Sequence, residues 1–509
     1  MRRCGAGRVI LLLLVLLLVP LLASGAQAGG EAQAEASGAD GAPVHGQRAE
    51  PTAPARRPSY QDRRFDEDWS ALARPEALAS QDLFDPVKAV PLGEDVWLSL
   101  GGQVRERLEI WSGYEFGAPR DDDETFLLSR FRVHADLRVG SHLRGFLELQ
   151  SALSTDTGAF DGARGRDTDT FDVLNGFVEL GVPLGGGGSG GEPASGRALT
   201  LRVGRQELRF GRQRLVSPLD WANARRTFDG ASLELAAGGF EVTAFATRPV
   251  RVRPYQWDDP VHGSAFYGVH ATGALPGATL GWARLDLYAY GLHRSDVSLE
   301  GTTGDERRAT LGARISGPLP ETHFDVDLEA AWQGGRAGGH DISAWMVASQ
   351  LGWWLSQHRL SPRFFLGFDA ASGDGRPGGG VQLFDHLFPL GHAYFGAADV
   401  VGRQNVLSPS VGVSFRPFVA VTAELAFHEF WREDADSGLY DAAGRLLRAG
   451  GLSSSRHVGA EIDALVKWQL DPHTQLLLGY SHVFPGGFID RSGPSDPIDF
   501  TYLIAQYTF

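Results

Sequence analysis

Within residues 199–230, LTLRVGRQELRFGRQRLVSPLDWANARRTFDG, six arginines follow the opening strand: Arg205, Arg209, Arg212, Arg214, Arg225 and Arg226. A guanidinium stays charged at physiological pH, and its planar fork meets a carboxylate in two-point contact. The chemistry open to such a cluster is the binding and guidance of anions. Leu199, Leu201 and Val203 alternate with Thr200, Arg202 and Gly204, which is strand periodicity, and a second alternating strand begins near Gly230. Six cations between two amphipathic strands suit a soluble core poorly. They suit strands that stand in lipid with their polar faces turned to a water-filled passage.

The elements that must position these cations share one pattern. In residues 97–110, Leu98, Leu100, Val104, Leu108 and Ile110 form one face, and Gln103, Arg105, Arg107 and Glu109 the other. Glu106 breaks the apolar face. In residues 127–139, Phe131, Val133, Ala135, Leu137 and Val139 alternate with Arg130, Arg132, His134, Asp136 and Arg138. Lipid outside and water inside explains five chargeable groups on one strand face better than a soluble sandwich does. Continuing the count predicts strands at 142–152, 171–182, 198–208, 229–236, 239–248, 264–273, 279–292, 306–316, 322–334, 341–355, 362–372, 406–415, 418–429, 455–468, 473–483 and 498–509. With the first two there are 18, most of them long enough for a tilted strand to cross a bilayer. The expected fold is an all-β transmembrane antiparallel barrel of 18 strands, an up-and-down meander.

Link lengths agree. Gly140-Ser141, Ala237-Gly238 and Arg416-Pro417 are tight turns, whereas 111–125, 153–170, 209–228, 249–263, 373–405 and 430–454 are long. Short periplasmic turns alternating with long external loops are the habit of outer-membrane barrels. The glycine-rich 182–198 link is the exception and reads as a flexible insertion. The chain ends with Leu503, Ala505, Tyr507 and Phe509 on one face, like the C-terminal assembly signal of such barrels.

Targeting fits this location. Met1-Arg2-Arg3 and Arg8 precede an apolar run at 9–22, and Ala26-Gln27-Ala28 is an A-x-A site, so 1–28 reads as a Sec signal peptide. The run is short of the ~20 residues that a membrane helix needs. Residues 29–64 read as a disordered leader, 65–96 as a short periplasmic lead-in with one short helix, and 97–509 as the barrel in the outer membrane of a Gram-negative cell. Cys4 is the only cysteine and leaves with the signal, which excludes disulfides and thiolate metal sites in the mature chain. Losing Arg2, Arg3 and Arg8 takes the formal charge from −15 to −18, which argues against a nucleic-acid partner.

Several segments resemble the alginate-export (AlgE-like) family of outer-membrane porins, in order along the chain. They include LSRFRVHADLRVGSHLRGFLELQSA, LRVGRQELRFGRQRLVSP, RRTFDGASLEL, VTAFATRPV, FDHLFPLGHAYFG and GRQNVLSPSVGVSFRP. The resemblance implies a monomeric barrel, without cofactor or enzymatic activity, that lets an anionic exopolysaccharide leave the cell. It also implies a periplasmic protein that delivers the polymer. A polyuronate carries a carboxylate on each sugar and needs fixed positive charge along the lumen. The expected pore-lining cations are Arg105, Arg107, Arg130, Arg132, Arg138, Arg144, Arg202, Arg284, Arg314 and Arg363, with Asp325, Asp327 and Glu329 on a facing acidic wall. His323, Glu424, His428, Glu461 and Asp463 extend that wall. A transverse field across the pore is one expectation, and cross-lumen pairing that holds the barrel's shape is the other. Strict alternation turns Arg205 towards lipid, so a bulge or rim position at Gly204 is expected to bring it to the lumen.

The 373–405 link, with Phe384, Phe388, Tyr394 and Phe395, reads either as a gate folded into the pore or as a surface loop. Asp374, Asp385 and Asp399 there, and Asp121-Asp122-Asp123, are weak candidates for Ca²⁺. An enzyme would need a nucleophile–base–acid set; H-E-x-x-H does not occur, and the G-x-S-x-G string at 187–191 is part of a glycine run without the strand and helix such a motif needs on either side. A TonB-type transporter would need a plug domain and about 22 strands. The rival that remains is a general or substrate-specific porin for small anionic solutes.

Overall fold

The computed structural model describes residues 57–73, 81–118, 123–155, 166–183, 198–237, 239–275, 282–299, 302–375 and 379–509. The expected signal peptide, most of the leader, most of the glycine-rich insertion and Asp121-Asp122 lie outside these residues.

Eighteen strands form one antiparallel sheet that closes on itself. They are β1 (Val96–Ser112), β2 (Glu124–Val139), β3 (Leu143–Ser154), β4 (Asp169–Pro183), β5 (Ala198–Gln206) and β6 (Phe228–Ala237). Next come β7 (Phe240–Arg251), β8 (Ser264–Ala274), β9 (Arg284–Leu299), β10 (Thr302–Pro318), β11 (Phe324–Ala337) and β12 (His340–Trp354). The last are β13 (Arg363–Ala371), β14 (Val406–Phe418), β15 (Val421–Trp431), β16 (His457–Gln469), β17 (Thr474–Pro485) and β18 (Ile498–Thr508). Each pairs with its neighbour in sequence, and β1 pairs with β18 from Gln103↔Thr508 to Ser112↔Asp499. Closure matters because hydrocarbon offers no partner to a free backbone edge. Phe509 completes the seam: its N–H and C=O exchange bonds with Gly102 at 2.9 and 2.8 Å.

The two faces separate by chemistry. Phe131, Leu147, Val178, Val203, Leu311 and Leu366 are exposed on the lipid side, while Arg105, Arg130, Arg132, Glu148, Gln333 and Glu461 are buried inside. Glu106, on the lipid face, is satisfied by the Ser129 hydroxyl opposite it on β2 (2.6 Å). The expected Arg416-Pro417 turn falls inside β14, and the chain reverses at Val419-Ala420. β9 and β10 run past residues 292 and 306 into a tight external hairpin, where Arg294 bonds Glu306 across the ladder (2.7 Å) and keeps the pairing going. A helix, Gly487–Ser492, caps the β17–β18 link, with Phe488 and Ile489 buried.

Three segments occupy the lumen. A strap, residues 57–73, lies at the end bearing Phe509 and the tight turns. A first inward loop, 207–227, links β5 to β6, and a second, 372–405, links β13 to β14. The two loops meet through a parallel bridge of Val216 and Phe388, with Ser217 N–H on the Phe388 carbonyl and Phe388 N–H on the Leu215 carbonyl, both at 2.9 Å. Leu215, Val216, Phe384, Leu387 and Phe395 pack there with Phe228, Phe245 and Phe266 of the wall as one apolar cluster. Of the two readings of the 373–405 link, the fold matches the inward one.

The arginine wall and the segments that occupy the lumen

The inward faces of β1 to β5 carry the expected cations, but loop and strap cover them. Arg105 donates to the carbonyls of Asp220 (2.7 Å) and Ala222 (2.9 Å). Arg107 donates to the Trp221 carbonyl and lies over the Trp221 ring at 4.2 Å. Arg130 holds the Asp220 carboxylate at 2.7 Å and the Gln103 amide oxygen at 2.9 Å. These three are 3% exposed or less, so the picture of cations facing bulk water is corrected. The reason is backbone demand: a loop folded into a lumen needs donors for its carbonyls, and the arginine row supplies them.

Towards the tight-turn end the strap takes over. Arg132 pairs with Glu148 at 2.7 Å, neither being exposed, and also reaches the Asp62 carbonyl. Arg138 bonds the Asp68 carboxylate (3.1 Å) and the Glu67 carbonyl (2.7 Å). Arg144 bonds the Phe65 carbonyl (2.8 Å), Asp136 (2.7 Å) and Glu179 (3.1 Å). Arg202 bonds Glu179 (2.7 Å), and its guanidinium sits 4.7 Å from the Phe65 and Phe177 rings. Residues 57–64, expected to belong to a disordered leader, are therefore seated against the wall, and Arg64 is buried. Among the described residues of this region there are short 3-10 turns at Arg64–Asp66, Ser70–Ala73 and Asp85–Val87, and 74–80 of the lead-in lie outside the described residues.

On the far wall, β11 presents Asp325, Asp327 and Glu329. Asp325 is taken by Arg363 of β13 (2.6 Å) and Asp327 by Arg314 of β10 (2.7 Å). Arg314 also reaches Asp286 (2.7 Å). Arg214 of the first loop bridges Asp327 (2.9 Å) and Glu329 (2.8 Å), and Tyr288 donates to Glu329 (2.9 Å). Further round, Glu461 and Asp463 of β16 accept the N–H groups of Ala398 (2.8 Å) and Ala397 (3.2 Å) from the second loop. Gly396 makes this approach feasible. Its φ is +82°, and a Cβ there would fall 2.2 Å from the Glu461 carboxylate carbon. The first loop thus spans the lumen with Asp220 on the cationic wall and Arg214 on the acidic one. Among the described residues, charges on opposite walls are joined through this loop.

Two expected residues lie elsewhere. Arg284 is exposed at the start of β9, on Thr272 (3.0 Å). Arg205 keeps the outward parity of Leu201 and Val203, because the β5–β6 ladder runs unbroken from Ala198↔Ala236 to Gln206↔Phe228. Gly204 has φ +137° but inserts no extra residue, so the expected lumen-directed bulge is absent. Arg205 instead sits one residue from the strand end, on Asp229 (2.8 Å), Asp172 (3.0 Å) and the Asp258 carbonyl (3.0 Å). A rim position with paired carboxylates avoids the ~2–4 kcal/mol that a midplane arginine costs.

Sequence reasoning named Arg214 and Arg225 only as members of a cationic link and missed Asp220. Arg225 is buried and joins Asp220, Glu207 and Asp62 of the strap (2.7 Å to Asp62). Burial alone would lower its pKa, but Asp62, Glu207 and Asp220 hold it well above the usual range. Burial would raise Asp220, but Arg130, Arg225 and Arg105 hold it well below the usual carboxylate range. No local signal marks Asp220, since SPLDWANA resembles any polar link. Beyond this cluster, Arg107, Trp111, Arg166, Trp221, Arg226 and His392 line a cavity of about 450 Å³. Trp221 and His392 stack there at 3.5 Å between ring centroids. Among the described residues Arg226 donates to the carbonyls of Ser217 and Pro389.

The fold is similar to solved outer-membrane porins. A BenF-like porin from Pseudomonas fluorescens superposes with TM-score 0.53 at 10% identity, covering 81% of this chain and 98% of that one. OpdO of Pseudomonas aeruginosa gives 0.52 at 12%, covering 81% and 97%. OccK2 (OpdF) of Pseudomonas aeruginosa, solved in complex with glucuronate, gives 0.51 at 12%, covering 81% and 96%. No curated protein sequence matches. The family model described as alginate export matches residues 96–501, which span all of β1 to β17 and the start of β18. The chain belongs to the alginate export family and is a non-enzymatic outer-membrane channel.

Proposed function

We propose that this channel passes an acidic, uronate-bearing polysaccharide out of the cell, with a preference for anions. Residues 1–28 would direct export as a signal peptide, and a periplasmic protein would deliver the polymer. The observation that carries the reading is the occupancy of Arg105 and Arg130. Their partners Asp220 and Ala222 belong to a loop. When that loop withdraws, two guanidinium forks are left facing the lumen, spaced along one wall with Arg132, Arg138 and Arg144. Fixed donors of this kind replace the water that a carboxylate sheds on entry.

A second reading, passage of small acidic solutes, draws on a different observation. Two loops and a strap fill the lumen, and the similar OccK2 barrel was solved with glucuronate. Single-channel conductance of the refolded mature chain, titrated with uronates of graded length, tests both. Anion preference with block that deepens with chain length, and weakens about tenfold in Arg130→Gln, supports polymer export. Equal response to the monomer and to long chains moves the function to small solutes. Cation preference overturns both.

A further inference from the structure

The strap is held as a polyanion would be. Asp62 meets Arg225 at 2.7 Å, Asp66 meets Arg209 at 3.0 Å and Asp68 meets Arg138 at 3.1 Å. Arg138 and Arg144 add bonds to the strap's carbonyls at Glu67 and Phe65. Arg138 and Arg144 flank the tight turn at Gly140-Ser141, the side from which a polymer made inside the cell arrives, and Arg209 and Arg225 of the first loop lie deeper in the lumen.

The three acidic contacts are the wet part of the strap. The Asp62, Asp66 and Asp68 side chains are 36%, 25% and 61% exposed. Arg209 and Arg138 are themselves 34% and 19% exposed, and pairs this open to water contribute little and exchange readily. Arg225 is buried, but Glu207 and Asp220 keep it paired when Asp62 leaves. The dry anchors are other residues. Phe65 sits edge-on against Phe146 and Phe177, at 5.8 and 5.3 Å, and Arg64 bonds the Phe509 carbonyl at 2.9 Å. Asp62, Asp66 and Asp68 are therefore not needed to fix the strap's place, yet they fill the forks that an incoming anion would need. Each N–H taken by a strap carboxylate is one donor fewer for an incoming anion.

We propose that Asp62, Asp66 and Asp68 stand on the entry subsites for uronate carboxylates, and that a polyuronate arriving from the periplasm takes those subsites by displacing the acidic part of the strap. The proposal rests on the export reading above. It makes the strap an internal competitor that sets the threshold for polymer entry and keeps small anions from leaking through an empty arginine wall.

The test is the triple variant D62N/D66N/D68N in the full mature chain. Asparagine keeps the shape and the backbone hydrogen bonding, and Phe65 and Arg64 are untouched. Heat-modified gel migration checks that the barrel forms. A purified uronate oligomer is added on the periplasmic side of a planar bilayer. Its half-blocking concentration should fall about fivefold or more, since each exposed pair weighs roughly 1.4- to 5-fold. Equal half-blocking concentrations in variant and parent overturn the strap inference and leave export standing. Absence of block in both overturns the export reading and the inference with it.

Discussion

The two walls of the lumen hold their loops by opposite means. On β1 to β3, arginines grip backbone carbonyls and one partly wet aspartate, Asp220, whose side chain is 41% exposed. On β11, carboxylates grip Arg214 in a dry site, with side-chain exposures of 4%, 5% and 6% for Arg214, Asp327 and Glu329. A carbonyl on a guanidinium is replaceable by any better acceptor, such as a carboxylate. A buried, multiply bonded ion pair is not, because breaking it strands a charge. The difference assigns roles: the acidic wall anchors the first loop, and the arginine wall is where a substrate can compete with it.

The sharpest way to break this contrast is Arg214→Gln. It strips the anchor and leaves Asp327 to Arg314 and the half-exposed Arg212, and Glu329 to Tyr288. The expected cost is about 3 kcal/mol, the low end for a broken buried pair. Hydrogen exchange of the Ser217 and Phe388 amides, which tie the two loops, should accelerate by roughly a hundredfold, as 1.4 kcal/mol is a factor of ten. Unchanged protection would mean that the apolar cluster holds the loop alone.

Acid should loosen the second loop by a similar or slightly smaller amount. His386 is buried, and burial together with the nearby Arg226, Arg403 and Arg294 pushes its pKa down to about 4 despite Asp385 beside it. A depressed histidine stays neutral in the folded loop while the free loop takes up a proton. Docking is therefore at full strength above about 6.5 and is lost progressively as pH falls towards 4. Conductance should rise across that window, and His386→Asn should flatten the profile. A profile equally steep in the variant assigns the effect to other groups.

The smallest effect sharpens the comparison from within one loop. Arg212 also reaches Asp327, at 3.3 Å, but its side chain is 46% exposed. Arg212→Gln should cost about 0.2–1 kcal/mol. Amide protection at Ser217 should then change less than about fivefold, and a loss as large as that of Arg214→Gln would remove burial as the explanation.

Much of the architecture was legible along the chain. Period-2 alternation is local, so Phe131 to Val139 against Arg130 to Arg138 declared both the strand and its two faces, and the structure keeps them. Arg205 is instructive in the other direction. Plain alternation placed it correctly, and the added bulge was an unneeded repair, because Asp172 and Asp229 at the rim remove the cost that the bulge was meant to avoid. Strand ends were less legible at β9–β10, where a cross-strand ion pair carries the ladder further than the apolar pattern does.

By itself, the sequence determined what depends on near neighbours: a strand wherever apolar and polar residues alternate, a tight turn wherever the run is cut short, and a cation-rich inner face on the first strands. Tertiary structure alone decided what those cations touch. Asp220 lies 90 residues from Arg130, and Asp62 lies 163 residues from Arg225. Nothing in SPLDWANA or SYQDRRFDED requires a place in the lumen. That place follows from barrel closure, which gathers guanidinium groups from β1 to β5 around one low-dielectric space. There, each inward carbonyl and carboxylate must find a donor, and each inward arginine an acceptor.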